Sequence, residues 1–323
     1  MYTIYSYLLP KIFSRKSLLL SKRDFKELGK SKTLSEFIRK LREKPYYRKV
    51  FENREKIFTP LQIKDILEEN LIYFEKNIIL LSENMDFLLA YFHRHLIPFL
   101  KVIFRNLFLG KNYRFNEKIF EEIISFLNME DFYRELCQRK NIWDIFKMLI
   151  KYYKIEEKIV KINDIYFIDT FLEKIFYKYL LKKFYEMDPD DRNVLVDFIK
   201  ILLMKYNVIA ITYCNIWDIG LEISEKILLK DKLIEENIDR FLYKLDKTLY
   251  KHFKEKRVDL LEKDFDLILI RCANRFFLKD VFSIAPLLGI IFLVENEINN
   301  LIKISYLISS KNYDYIPIKI VII

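Results

Sequence analysis

His93 and His95, in the run "FHRHL", are the only histidine cluster of the sequence, and such a pair could hold a metal ion or carry a proton. Their spacing works against both roles. Helical residues two apart point to different faces, so the two rings do not readily close on one ion. His252 sits far away in a lysine-rich segment. Asp188, Asp190 and Asp191 flank Pro189 and could also be read as ligands, but too few further ligand side chains converge on them in the sequence. Carboxylates ahead of an apolar run are what a helix start favours, because its first N–H groups are unpaired and its dipole is positive there. Cys137, Cys214 and Cys272 are far apart and form no CxxC, which suits small buried hydrophobes in a reducing compartment. Gly29, Gly110, Gly220 and Gly289 stand singly, so no phosphate-cradling loop is expected. No serine or cysteine has the surroundings of a nucleophile. The expectation is a chain with no catalysis of its own, no cofactor and no metal.

The elements that would carry these residues read as helices. Nearly every stretch longer than about ten residues places its apolar side chains at helical spacing. "TLSEFIRKLREKPYY" puts Leu34, Phe37, Ile38 and Leu41 on one stripe, with Thr33 and Glu36 spaced as a capping box and Pro45 expected to end the helix. Thr59 and Pro60 mark another start. Only "NVIAITYCNIW" and "IPIKIVII" carry a β-branched signature, and neither is bracketed by hairpin turn chemistry. The reading is an almost wholly α-helical chain of about eighteen helices, without a long linker.

Composition agrees with that. Hydrophobic residues make up 52% and charged residues 32% of the 323, enough for a large core under a solvated surface. Four glycines are too few for nucleotide folds with glycine-rich loops or for tight-turned β-sandwiches. The net charge of +10 is concentrated. Met1 to Lys56 holds 16 basic and 6 acidic residues, and the rest of the chain balances at 40 of each. A basic section of this kind can meet nucleic acid, anionic lipid or an acidic protein surface, or simply be a set of solvated helix faces. No signal peptide is visible in "YTIYSYLLPKIFSRK". The longest uncharged run, Val281 to Val294, has 14 residues where a membrane span needs about 20, so a soluble chain is expected.

Three segments share one design. "HLIPFLKVIFRNLFLGK" carries an apolar stripe beside Lys101 and Arg105, "VLVDFIKILLMKYNV" one beside Asp197 and Lys200, and "VENEINNLIKISYL" one after Glu295 and Glu297. Each follows another strongly apolar stretch: "MDFLLAYF", "YFIDTFLEKIFYKYLLKKF" and "IAPLLGIIFLV". A helix that is apolar on most sides is central, and its few polar groups must face a partner or a wet cavity. The spacing suggests one module repeated over residues 1–115, 116–215 and 216–323.

The last of these segments resembles the closing helix of the C-type stalk component of archaeal-type rotary ATPases, whose vacuolar counterpart is the d-type component. That family ends in acid-x-E-[IV]-x-N-L-x-x-I-[AS], matched here by Glu295, Glu297, Ile298, Asn300, Leu301, Ile304 and Ser305. "LIPFLKVIFR" reproduces an earlier motif at Ile97, Leu100, Lys101, Ile103 and Arg105, with Phe99 where the family usually has Asn. "VDFIKILLMKY" resembles the middle copy with its basic residue out of register, and "WDIGLEIS" sits where the family tends to turn at glycine. The family's glycines and lysine after the last helix are mostly absent. The resemblance implies an all-α fold of three homologous helical domains in a pseudo-threefold funnel. It implies a non-catalytic central-stalk subunit that couples the rotor shaft to the membrane rotor ring, peripheral on the cytoplasmic face, for proton or sodium transport. Lys101, Arg105, Asp197, Glu295 and Glu297 are the candidates for partner binding along the funnel. The alternative is a helical-repeat adaptor or a basic nucleic-acid-binding protein, since aromatics interleave with Lys and Arg in "KPYYRKVFENREKIF".

Overall fold

The computed structural model describes residues 5–52, 59–82, 85–110, 114–159, 164–218, 225–279 and 281–312. The chain is all-α, with sixteen α-helices, two 3-10 turns and no strand among the described residues. In order these are α1 (Tyr5–Ser17), α2 (Lys22–Gly29), α3 (Leu34–Arg42), α4 (Pro45–Val50), α5 (Pro60–Leu80), α6 (Met85–Phe92), α7 (Leu96–Leu109) and α8 (Glu117–Phe126). There follow α9 (Glu130–Gln138), α10 (Ile142–Tyr153), α11 (Ile165–Glu186), α12 (Pro189–Ile216), α13 (Ile238–Leu245), α14 (Lys247–Lys254), α15 (Val258–Lys279) and α16 (Ala285–Ser309). The 3-10 turns are His93–His95 and Lys232–Ile234.

Two compact units are present: unit 1 is Met1–Glu83 with Asp266–Ile323, and unit 2 is Asn84–Phe265. In unit 1, α16 is the centre. It packs along α5 and also against α1, α2 and α3, with Leu287, Leu288, Ile290, Ile298, Leu301 and Ile304 shut off from solvent. Gly289 has a reason to be glycine. A Cβ there would lie 3.0 Å from the carbonyl oxygen of Ala273 on α15, so the missing side chain lets the two helices approach closely. In unit 2, α11 plays the central part, packed by α6, α7, α10 and α12.

The sequence signals mostly became local structure. Thr59 and Gln62 form a full capping box at α5, with Pro60 in the first turn. Thr33 Oγ1 accepts from Glu36 N–H at 3.1 Å, but the Glu36 carboxylate reaches one residue further back, to Lys32 N–H at 2.8 Å. Asp188 Oδ1 caps α12 by accepting from Asp190 N–H at 2.9 Å. Pro45 departs from expectation in a small way: α3 stops at Arg42, and Pro45 opens α4 as its first residue. Proline's fixed φ suits that position as well as it suits an end.

Two sequence readings change. "NVIAITYCNIW" lies inside α12 and is helical to Ile216, because it continues a helix already under way from Pro189 and buries Val208, Ala210, Thr212 and Cys214; packing overrides β propensity. "IAPLLGIIFLV" and "VENEINNLIKISYL" are one continuous helix, α16, and not two. Pro286 falls in its first turn, where it breaks nothing. "IPIKIVII" and residues 219–224 of "WDIGLEIS" lie outside the described residues. The stretch Met85–Leu109 has the length and hydropathy of a membrane span by composition, and 50% of it is buried inside the protein. Its pairing with α11 makes it a packed part of unit 2.

Candidate functional site

On α7, Lys101 and Arg105 stand one turn apart on one face. Opposite them on α11 stand Glu173 and Asp169, also four residues apart. Lys101 Nζ donates to Glu173 Oε1, and Arg105 Nη2 donates to Asp169 Oδ2. The crossed register, 101 with 173 and 105 with 169, shows that the helices run antiparallel. Close to this ladder Phe104, Phe146 and Phe171 form two edge-to-face contacts of 4.9 Å each, which fix the spacing of α7, α10 and α11. The Arg105 side chain remains 48% exposed while Asp169 is 11% exposed, so the ladder sits at the surface with its cation outward. Asp197, on α12 of the same unit, is exposed and has no ion pair or hydrogen bond among the described residues. Its neighbour one turn along, Lys200, bonds Glu236 at 3.3 Å.

Glu295 and Glu297 belong to unit 1 and differ sharply. Glu295 is half-buried. Glu297 is buried, and its carboxylate is the meeting point of three segments. Arg15 Nη2 donates to it from α1 at 3.0 Å, the Tyr47 hydroxyl donates from α4 at 2.6 Å, and the Leu20 N–H donates from the α1–α2 turn. The Arg15 guanidinium lies over the Tyr46 ring, 3.6 Å from its centroid, and the Tyr46 hydroxyl donates to Asn70 on α5 at 2.6 Å. Burial works to lower the Arg15 pKa, and the adjacent Glu297 charge with the two tyrosines more than offsets it, leaving the pKa raised. Burial, then the Glu297 charge, push Tyr47 well above the ordinary phenol range, so it stays a donor. This cluster ties residues 282 apart in sequence.

The sequence-predicted residues therefore fall in two places: Lys101, Arg105 and Asp197 in unit 2, Glu295 and Glu297 in unit 1. Sequence reasoning missed their partners. Arg15, Tyr47, Asp169 and Glu173 carry no motif, and only the fold brings them into reach. One missed group did have a signal. Lys174, Lys178 and Lys182 recur every fourth residue along α11. Lys182 Nζ donates to the Lys154 carbonyl at 3.1 Å and Lys178 Nζ to the Glu156 carbonyl at 2.7 Å, clasping the end of α10. Lys174, 7% exposed, donates to the Lys226 carbonyl at 2.6 Å and lies 3.2 Å from Glu157. Its pKa is lowered by burial, with Glu157 opposing.

His93 and His95 occupy the short 3-10 turn, not an α-helix. His93 is buried, with Nδ1 at 3.1 Å from the Tyr153 hydroxyl and its ring edge-on to Tyr179. Burial lowers its pKa to about 3, so the imidazole is neutral. Among the described residues no three His, Cys, Asp or Glu side chains come together as a metal site. Cys214 is buried, Cys272 half-buried and Cys137 exposed.

The structure thus defines an all-helical protein in which several charged groups join helices distant in sequence. A family model described as the ATP synthase (C/AC39) subunit matches residues 8–317, nearly the whole chain. The chain belongs to that family and is thereby a V/A-type ATPase subunit. No curated protein matches the chain.

Proposed function

We propose that this chain is the non-catalytic central-stalk subunit of its complex, coupling the rotating shaft of the soluble head to the membrane ring that carries protons or sodium ions. The family match over residues 8–317 carries the reading. Physical support comes from stiffness. A torque-bearing part must not bend, and long helices such as α11, α12, α15 and α16, with four glycines in the whole sequence, meet that need. In this reading the three similar segments, centred on α7, α12 and the second half of α16, are copies of one module arranged as a funnel around the shaft end. Arg105 and Asp197, both exposed, are the members of the predicted set that reach a partner directly, while Lys101 and Glu295 border it. Glu297 contributes from inside, by holding α16 in register with α1 and α4. The location that follows is peripheral, on the cytoplasmic face of the membrane.

The test is a tagged chain expressed in its native cells. Co-purification of the shaft subunits and the membrane ring is expected, and membranes stripped of this chain should hydrolyse ATP without pumping ions. Retention of full coupling in its absence would refute the proposal, as would recovery of RNA in place of ATPase subunits.

A further inference from the structure

Unit 1 contains 24 of the 56 basic residues and 16 of the 46 acidic ones, whereas unit 2 is nearly balanced. Most of that excess lies in residues 1–83, and the part of α15 in unit 1, residues 266–279, carries three basic residues and one acidic one. Arg271 and Arg275 are one turn apart, both exposed, and neither makes an ion pair or hydrogen bond among the described residues. The same stripe continues one turn further to Leu278, which is 80% exposed, and Phe282 follows in the turn at 65%. Leu278 is the most exposed large hydrophobic side chain among the described residues. The first helix borders this end of α15. Phe13 meets Phe277 edge-on at 5.5 Å, and Lys16 Nζ sits 3.9 Å above the same ring. Phe13 itself is 39% exposed.

Single exposed hydrophobic residues are ordinary. Here an exposed aliphatic side chain ends a helix and an exposed aromatic one follows in the turn, with two exposed arginines, unpaired among the described residues, on the stripe that leads to Leu278. We propose that this tip of unit 1 docks directly on an acidic phospholipid surface, with Arg271, Arg275 and Lys16 at the headgroup phosphates and Leu278, Phe282 and Phe13 entering the boundary with the acyl chains. The chemistry selects lipid over nucleic acid. Leu278 has no ring to stack on a base, so it gains only by leaving water. The long basic side chains can lie along apolar surface and still keep their charge among phosphates. The proposal concerns lipid alone and goes beyond any contact with a protein ring.

Sedimentation of the full chain with vesicles tests it. Vesicles of phosphatidylcholine with about one third phosphatidylglycerol should bind the chain, binding should weaken with salt, and pure phosphatidylcholine should not bind it. R271E/R275E should lower the partition by at least about tenfold. L278S/F282S leaves the charge untouched and should lower it by about tenfold. All four side chains are exposed, so both variants should keep the native circular dichroism and melting temperature. Equal partition into neutral and acidic vesicles would overturn the proposal, as would undiminished binding by either variant. Tight RNA binding that R271E/R275E abolishes would reassign the patch to nucleic acid and overturn it as well. The vesicles contain no protein, so failure here leaves the stalk reading standing, and failed co-purification leaves this one standing.

Discussion

The Arg15–Glu297 cluster of unit 1 and the Arg105–Asp169 contact of unit 2 both hold distant helices together, but in different settings. The Arg15–Glu297 pair of unit 1 is buried, at 6% and 4% side-chain exposure, and is wrapped by Tyr46 and Tyr47. The Arg105–Asp169 pair of unit 2 is half open, its arginine 48% exposed and its aspartate 11%. A buried pair gains strong Coulomb attraction but has lost its hydration, so removing one partner strands a charge in a dry site. Where one partner is half-exposed, water stays within reach of the site, so losing the pair costs less. Glu297 is therefore a structural keystone of unit 1, whereas Arg105 is available for something besides stability.

Removing the keystone should have the largest effect. Glu297→Ala leaves Arg15 uncompensated and takes away the acceptor of Tyr47 and of the Leu20 N–H, and should cost about 3–5 kcal/mol in urea denaturation. Pairing Glu297→Leu with Arg15→Met should recover part of that loss, since no charge is then left buried. A loss no greater than that of a surface pair would erase the contrast between the units.

Unit 2 also buries a titratable group, but a neutral one. His93 has a pKa of about 3 in the folded chain, against about 6.5 when unfolded. Between these values the unfolded chain binds a proton that the folded chain refuses. The contribution of neutral His93 is therefore complete above about pH 6.5 and is lost as pH falls towards 3, amounting to about 2 kcal/mol by pH 5. Urea midpoints measured from pH 7 to pH 5 should fall less steeply in His93→Phe than in the parent chain. Parallel slopes would show that His93 is not the group responsible.

The smallest effect is expected at the half-open pair. Arg105→Ala leaves the mostly buried Asp169 carboxylate without its cation and should cost about 1–2 kcal/mol, less than the loss of Glu297. On the proposed function it should nonetheless weaken retention of the chain in the complex during purification at moderate salt. A stable variant that is retained as well as the parent would remove Arg105 from the partner surface.

Much of the fold was legible because it is local. Helical spacing, the Thr59 and Asp188 caps and the scarcity of glycine depend on neighbours a few residues away, and the all-α chain follows from them. The junction inside α16 was misread for the same reason. Pro286, Gly289 and the Glu295–Glu297 pair look like punctuation locally, yet burial along α5 and the close approach at Ala273 keep the helix going. The candidate residues were legible only in part. Apolar stripes marked Lys101, Arg105, Asp197, Glu295 and Glu297 as polar groups in unusual places, but not what each one meets.

That this chain is helical, rich in core and basic at its start could be read from the residues in order, because these are properties of composition and of short-range periodicity, and its likeness to one ATPase subunit family rested on motifs such as Glu295 to Ser305. Which charges are matched and which are free emerged only once the helices were packed. Arg15 and Glu297 lie at opposite ends of the chain, and Asp169 is 64 residues from Arg105. Whether two such groups neutralise each other depends on a few ångströms and on the water left between them, which packing alone sets.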